Sequence, residues 1–127
     1  MKEVVATNNA PQAIGPYSQA IKANGFLFVS GQIPLDPVTG QLAYGGVGMQ
    51  TRQVFANLQA ILTKEKLRFA DVVKATVFLS DMNDFAEVNK IYGEFFPTEP
   101  PARACVEVAR LPRDVSVEIE VIAVYPV

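Results

Sequence analysis

Apolar positions recur along this chain in two rhythms, and the switches between them lay out the fold. Residues 2–6 and 19–23 are short apolar segments of strand length, separated by the turn-rich stretch NNAPQAIGP. FLFVS at 26–30 is richer in aromatic and β-branched side chains and reads as a stronger strand. Asn24-Gly25 just before it suits a two-residue turn with positive φ at both positions, so 19–30 is predicted as a hairpin. IPLDPVTGQL follows as loop. From about 48 to 67 the period becomes helical: Val54, Leu58, Ile61 and Leu62 share a face, with Gln53, Asn57, Gln59 and Lys64 elsewhere. VVKATVFLS at 72–80 returns to strand. Asn83 or Asp84 can cap a second helix with an apolar stripe of Phe85, Val88, Tyr92 and Phe95, and Pro97, Pro100 and Pro101 end it.

The last segment, PARACVEVARLPRDVSVEI from Pro101 to Ile119, reads as two strands joined around LPRD. Paired as a hairpin, they put Ala102, Ala104, Val106 and Val108 on one face with Val115, Val117, Ile119 and Val121. The other face collects Arg103, Cys105 and Glu107 with Ser116, Glu118 and Glu120. The element order is strands, helix, strand, helix, strand, strand. That predicts one α+β domain over residues 1–127, a two-layer mixed sheet with two helices on one face. The uncovered face would carry the Arg103–Glu118 surface, with Phe28 and Phe78 pointing the same way. An open face that is part apolar and part charged suggests burial against another copy of the chain.

Composition narrows the chemistry. The chain has 127 residues, half of them hydrophobic, and a net charge of −2, which gives no electrostatic reason to bind nucleic acid or an anionic membrane. No stretch approaches the ~20 apolar residues of a membrane span, and MKEVVATNNAPQ lacks the apolar core of a signal peptide. A single cysteine makes no internal disulfide, so a reducing cytoplasm is the expected compartment. The absence of histidine removes Ser-His and Cys-His nucleophile pairs and the commonest transition-metal ligand, so no metal site is expected. Arg, Glu, Tyr, Ser, Asn, backbone groups and one thiol remain.

Each candidate has a plain reading beside the functional one. YGGVGMQT at 44–51 lacks the GK[ST] ending of a phosphate loop and is better read as a flexible loop. Arg103 is either a surface arginine paired with a glutamate or a carboxylate clamp, because guanidinium offers two parallel donors. Cys105 is more simply a small hydrophobe than a nucleophile, although an arginine two residues away would lower its pKa. Glu118 or Glu120 can be an ion-pair partner or a base that positions water, more so if burial raises its pKa. Tyr17 and Ser30 read alone as a turn tyrosine and a strand-end serine.

Taken together, PARACVEVARLPRDVSVEI resembles the signature of the RidA family (YjgF/YER057c/UK114), the reactive-intermediate imine/enamine deaminases. IGPYSQA, FVSGQIPLDPVTG, VVKATVFLSDMNDFAEVN and YGEFF resemble the family in order and spacing, so the likeness spans nearly the whole chain. The resemblance implies a chorismate-mutase-like α+β fold, a homotrimer with clefts between subunits, and hydrolysis of 2-imino acids to 2-keto acids and ammonia without a cofactor. It implies that Arg103 grips the substrate carboxylate, that Glu118 positions or activates water, and that Cys105 lines the pocket. It adds Tyr17, Ser30, Gly31 and Asn89 as substrate-binding positions, and it selects Glu118 over Glu120. Two competing readings of the same trimer are a non-catalytic 2-keto acid-binding regulator and, on weaker grounds, a ribonuclease or translation inhibitor. The charge balance and the lack of a basic-aromatic stretch argue against the last.

Overall fold

A computed structural model describes all residues from 1 to 127. The predicted segments become β1 (Glu3–Val5), β2 (Ala20–Ala23), β3 (Phe26–Gln32), α1 (Val47–Lys64), β4 (Val72–Leu79), α2 (Phe85–Phe95), β5 (Ala102–Glu107) and β6 (Val117–Val124). Asn24 and Gly25 take φ of 51° and 82° and close the β2–β3 hairpin between Ala23 and Phe26, as the turn chemistry requires. Two helices cover one face of a mixed six-stranded sheet ordered β1-β2-β3-β6-β4-β5.

That order corrects the terminal hairpin. β5 does not pair with β6; it lies at the sheet edge, parallel to β4, while β6 is inserted between β3 and β4 and runs antiparallel to both. The parallel β4–β5 pair needs a crossover, and α2 supplies it. The following connection is longer than a tight turn. It contains a 3-10 turn at Pro112–Asp114, with Arg113 and Asp114 in the left-handed region. Both of its ends are tied to the end of β4: Val108 N donates to Leu79 O at 2.8 Å, and Ser80 N donates to Ser116 O at 3.1 Å. The chain therefore steps over β4. The inner position suits β6, whose Val117, Ile119, Val121 and Ala123 are all buried, whereas most of β5 is exposed.

The strand order also reverses the expected faces. Ala75, Val77 and Leu79 of β4 point into the core beneath the helices, and the parallel register gives Arg103, Cys105 and Glu107 that same side. Phe78 aligns with Glu118 and Thr76 with Glu120 on the open side. Arg103 and Glu118 therefore lie on opposite faces of the sheet, not on one. Ala102, Ala104 and Val106 share the open face with the two glutamates. Phe28 and Phe78 do point the same way, Phe28 opposite Ile122 and Phe78 opposite Glu118.

Val54, Phe55, Leu58, Ile61 and Leu62 of α1 are fully buried against the sheet, each such side chain contributing about 1.5–3 kcal/mol. Phe55 anchors the layer, stacked on Phe95 at 4.3 Å and edge-on to Phe69 and Tyr92. Asn57, expected on the polar side of the helix, is buried instead, and its Nδ2 donates to the carbonyls of Ile33 and Leu35, pinning the loop after β3. In α2 the buried stripe is Val88, Ile91 and Tyr92, with Phe85 and Phe95 only half-buried. Neither Asn83 nor Asp84 caps α2 through its side chain; Asp81 accepts from Asn83 N in the 3-10 turn that leads into the helix. Gly46, not a polar side chain, stands at the N-cap of α1.

Gln19 performs the same pinning for the loop after β1. Its amide is buried, accepts from Thr7 N at 2.7 Å, and donates to the carbonyls of Thr7, Ala10 and Pro11. Gln19→Leu should leave those backbone groups unpaired and lower unfolding stability by about 2–3 kcal/mol in a denaturant titration. A loss below a few tenths would show that the loop holds itself.

Candidate active site

On the open face, Ile14, Tyr17, Ser30, Gly31, Ile33, Pro112, Glu118 and Glu120 surround a concavity of about 520 Å³. A β-bulge makes it. Val29 pairs with Val121 and Gln32 with Ile119, so β3 carries one more residue than β6 across this step, at Ser30-Gly31. The extra residue brings the Gly31 backbone against the Glu118 side chain. A Cβ built on Gly31 would collide with Glu118 Oε2 and sit 2.9 Å from its carboxyl carbon. Glycine at this position is what lets the Glu118 carboxylate lie where it does; its φ makes no such demand. Ser30 Oγ donates to Ser18 O at 2.5 Å, which ties the bulge to the segment leading into β2 and leaves the hydroxyl oxygen free to accept. Glu118 is half-buried and has no cationic partner within ion-pair distance. Its pKa is raised, mainly by burial and further by the neighbouring Glu120 carboxylate.

The second group lies at the β5 edge, on the helix side. Asn89, Tyr92, Gly93, Phe96, Pro100, Pro101 and Arg103 surround a concavity of about 450 Å³. Arg103 Nη1 donates to Asn89 Oδ1 at 2.7 Å, and the guanidinium carbon stands 4.8 Å from the Tyr92 ring centroid and 5.6 Å from that of Phe85. No carboxylate pairs with Arg103, so its remaining donors are uncommitted. Tyr92 Oη is buried without a hydrogen-bond partner, and burial raises the pKa of this phenol while Arg103 pulls it partly back. Cys105 follows two residues along the same face but packs against the core rather than lining this concavity. Burial raises its pKa and outweighs the lowering by Arg103, which fits the reading as a small hydrophobe rather than a nucleophile.

A free arginine fork and a proton-avid carboxylate, each beside its own concavity, sit on a fold shared with known proteins. The profile of the Endoribonuclease L-PSP family matches residues 7–125. The chain belongs to this family, also called YjgF/RidA. It is 58% identical to a RutC family protein of Pyrococcus horikoshii over 97% of this chain and 98% of that one. It is 51% identical to the 2-iminobutanoate/2-iminopropanoate deaminase of Salmonella typhimurium over 98% of each. The crystal structure of E. coli TdcF with bound serine superposes with a TM-score of 0.92 at 44% identity, covering 98% of this chain and 99% of that one.

The RidA positions read from the sequence thus form two sets. Tyr17, Ser30, Gly31 and Glu118 come together at the bulge; Arg103 and Asn89 come together at the β5 edge, with Cys105 beside them. Sequence reasoning missed the walls: Ile14, Ile33 and Pro112 at the first set, Tyr92, Pro100 and Pro101 at the second. Tyr92 and Phe85 were placed on an apolar stripe, which conceals that they also face a cation. The 4-and-3 spacing of Phe85, Asn89 and Tyr92 was the available signal, since it puts all three on one side of a helix.

Two outcomes follow from the Glu118 environment. The unfolded chain ionises Glu118 at the ordinary glutamate value, the folded chain only at higher pH. In that window the folded state holds the extra proton, so stability falls as pH rises. Measured on the separated chain, where no cation faces the carboxylate, Glu118→Gln should therefore be more stable than wild type at pH 7, with the gap closing once the pH drops below the ordinary glutamate value; a gap that widens on acidification contradicts the buried-carboxylate assignment. Gly31→Ala should leave the fold intact and turn the Glu118 side chain away from the bulge in a crystal structure; an unmoved carboxylate contradicts the contact.

Proposed function

We propose that the protein is a 2-iminobutanoate/2-iminopropanoate deaminase, hydrolysing reactive enamine/imine intermediates to 2-keto acids and ammonia. The observation that carries this reading is the pairing of unlike groups: an arginine fork with no carboxylate partner, and a half-buried glutamate with raised proton affinity and no cation. The first suits a substrate carboxylate and the second suits proton transfer to and from water. The relative from Salmonella typhimurium that bears this activity in its name supports the assignment.

Because the sheet stands between Arg103 and Glu118 in one chain, the proposed site is completed by a second copy. Arg103 of one subunit would face Glu118 of its neighbour. A contact that joins two different surfaces is heterologous and closes into a ring when the rotation allows, which agrees with a homotrimer. The open sheet face, with Val4, Phe26, Phe28, Val106 and Val124 all exposed, offers the apolar area such packing buries.

In this scheme Arg103 binds the carboxylate bidentately and Asn89 supports it. Glu118 accepts a proton from water as the oxygen attacks the imine carbon, and the C=N electron pair moves to nitrogen, which takes up a proton. The carbinolamine then collapses. Its hydroxyl loses a proton, the C–N bond breaks, and protonated nitrogen leaves as ammonia. Ser30 Oγ, already donating to Ser18, would accept from the imine N–H or the water, and the Tyr17 hydroxyl would close the other side. Cys105, packed against the core beside Arg103, would not act as a nucleophile. An imine is electrophilic as it stands, so the scheme uses neither metal nor organic cofactor, and the substrate is a small 2-imino acid rather than nucleic acid or lipid.

The test uses freshly generated 2-aminoacrylate with ammonia and pyruvate release as readouts. Arg103→Ala and Glu118→Gln should each reduce catalysed release by roughly 100-fold or more while the oligomer on size-exclusion chromatography is unchanged. Undiminished release in Arg103→Ala sinks the mechanism. A wild-type protein that binds 2-ketobutyrate yet does not speed release would instead be a 2-keto acid sensor.

A further inference from the structure

Phe85, Asn89 and Tyr92 stand at i, i+4 and i+7 along α2 and form one stripe facing the end of β5. The Arg103 side chain lies on that stripe. It has one hydrogen bond, to Asn89 Oδ1, and two ring contacts, with the guanidinium carbon 4.8 Å from the Tyr92 centroid and 5.6 Å from that of Phe85. An exposed arginine on an edge strand ordinarily samples many rotamers, and ordering it on ligand binding weakens that binding. A carboxylate partner would order it but would occupy the fork. Aromatic rings attract the cation through their π-faces and leave the N–H donors free.

We infer that Phe85 and Tyr92 are positioning residues that hold the Arg103 guanidinium between their rings and Asn89, with its unused N–H edge presented to the substrate carboxylate. The inference rests on the deaminase reading and deepens it. The Tyr92 ring is a rigid support, since the residue is buried, packed on Phe96 at 4.6 Å and edge-on to Phe55 at 6.0 Å. Phe85 is only half-buried, and its ring centroid stands 5.6 Å from the guanidinium carbon. The Tyr92 hydroxyl is buried without a partner, so the ring rather than the oxygen is the working part.

The experiment compares Phe85→Leu, Tyr92→Leu and Tyr92→Phe for 2-ketobutyrate binding by calorimetry and for imine hydrolysis, with thermal unfolding as a check on folding. Phe85→Leu and Tyr92→Leu should weaken 2-ketobutyrate binding and raise KM by roughly 2- to 30-fold, with kcat and its pH profile little changed. Tyr92→Phe should stay close to wild type in every readout. Phe85 keeps the test decisive if Tyr92→Leu does not fold. Unchanged KM in Phe85→Leu, or a loss in Tyr92→Phe equal to that in Tyr92→Leu, overturns the positioning role. Full 2-ketobutyrate affinity in Arg103→Ala would instead remove the carboxylate clamp, and with it the deaminase reading on which this one stands.

Discussion

The insertion of β6 between β3 and β4 is the constraint from which the rest of this molecule follows. A strand that satisfies its backbone on both edges must be apolar on the covered side, and VEIEVIAV meets that condition with buried Val117, Ile119, Val121 and Ala123. Occupying that place, β6 leaves β5 no neighbour except β4 and makes it the sheet edge. The parallel register then turns Arg103 towards α2, while the antiparallel register turns Glu118 away from it. The two groups best suited to chemistry are separated by hydrogen-bonding topology, not by distance along the chain.

Local order in each half is set by different means. At the bulge, one extra residue in β3 and the absence of a side chain at Gly31 let a carboxylate settle against backbone. At the β5 edge, the helix contributes a stripe of two rings and an amide to one cation. The loops beside the bulge are fastened from inside by buried amides, Gln19 for residues 7–11 and Asn57 for residues 33–35. These polar residues lie in the interior because every one of their donors finds a backbone acceptor.

Much of this was legible in the chain. Periodicity located each helix and strand, and Asn24-Gly25 specified its turn, because those features depend on residues close in sequence. The pairing of β5 was not legible. Alternation says which residues share a side of a strand, but not which neighbour the strand takes, and a four-residue turn motif imitated a hairpin. Asn57 escaped for a similar reason: an asparagine among glutamines looks solvent-facing until the carbonyls it serves are known. The site positions came from resemblance to a family, and the fold then divided them into two sets that neither pattern nor resemblance to the motif residues had separated within one chain.

The contact between Gly31 and Glu118 divides the ways in which this protein can fail. Damage at Gln19, Asn57 or Phe55 strikes interactions that hold the chain together, so a defective copy is unfolded more often and becomes scarce in a cell that degrades unfolded chains. Damage at residue 31 leaves the core untouched and meets only the carboxylate. The defective copy persists at full abundance, with a sound core and a misplaced acid. The smallest residue in the cleft is thus the one whose loss is least visible to quality control.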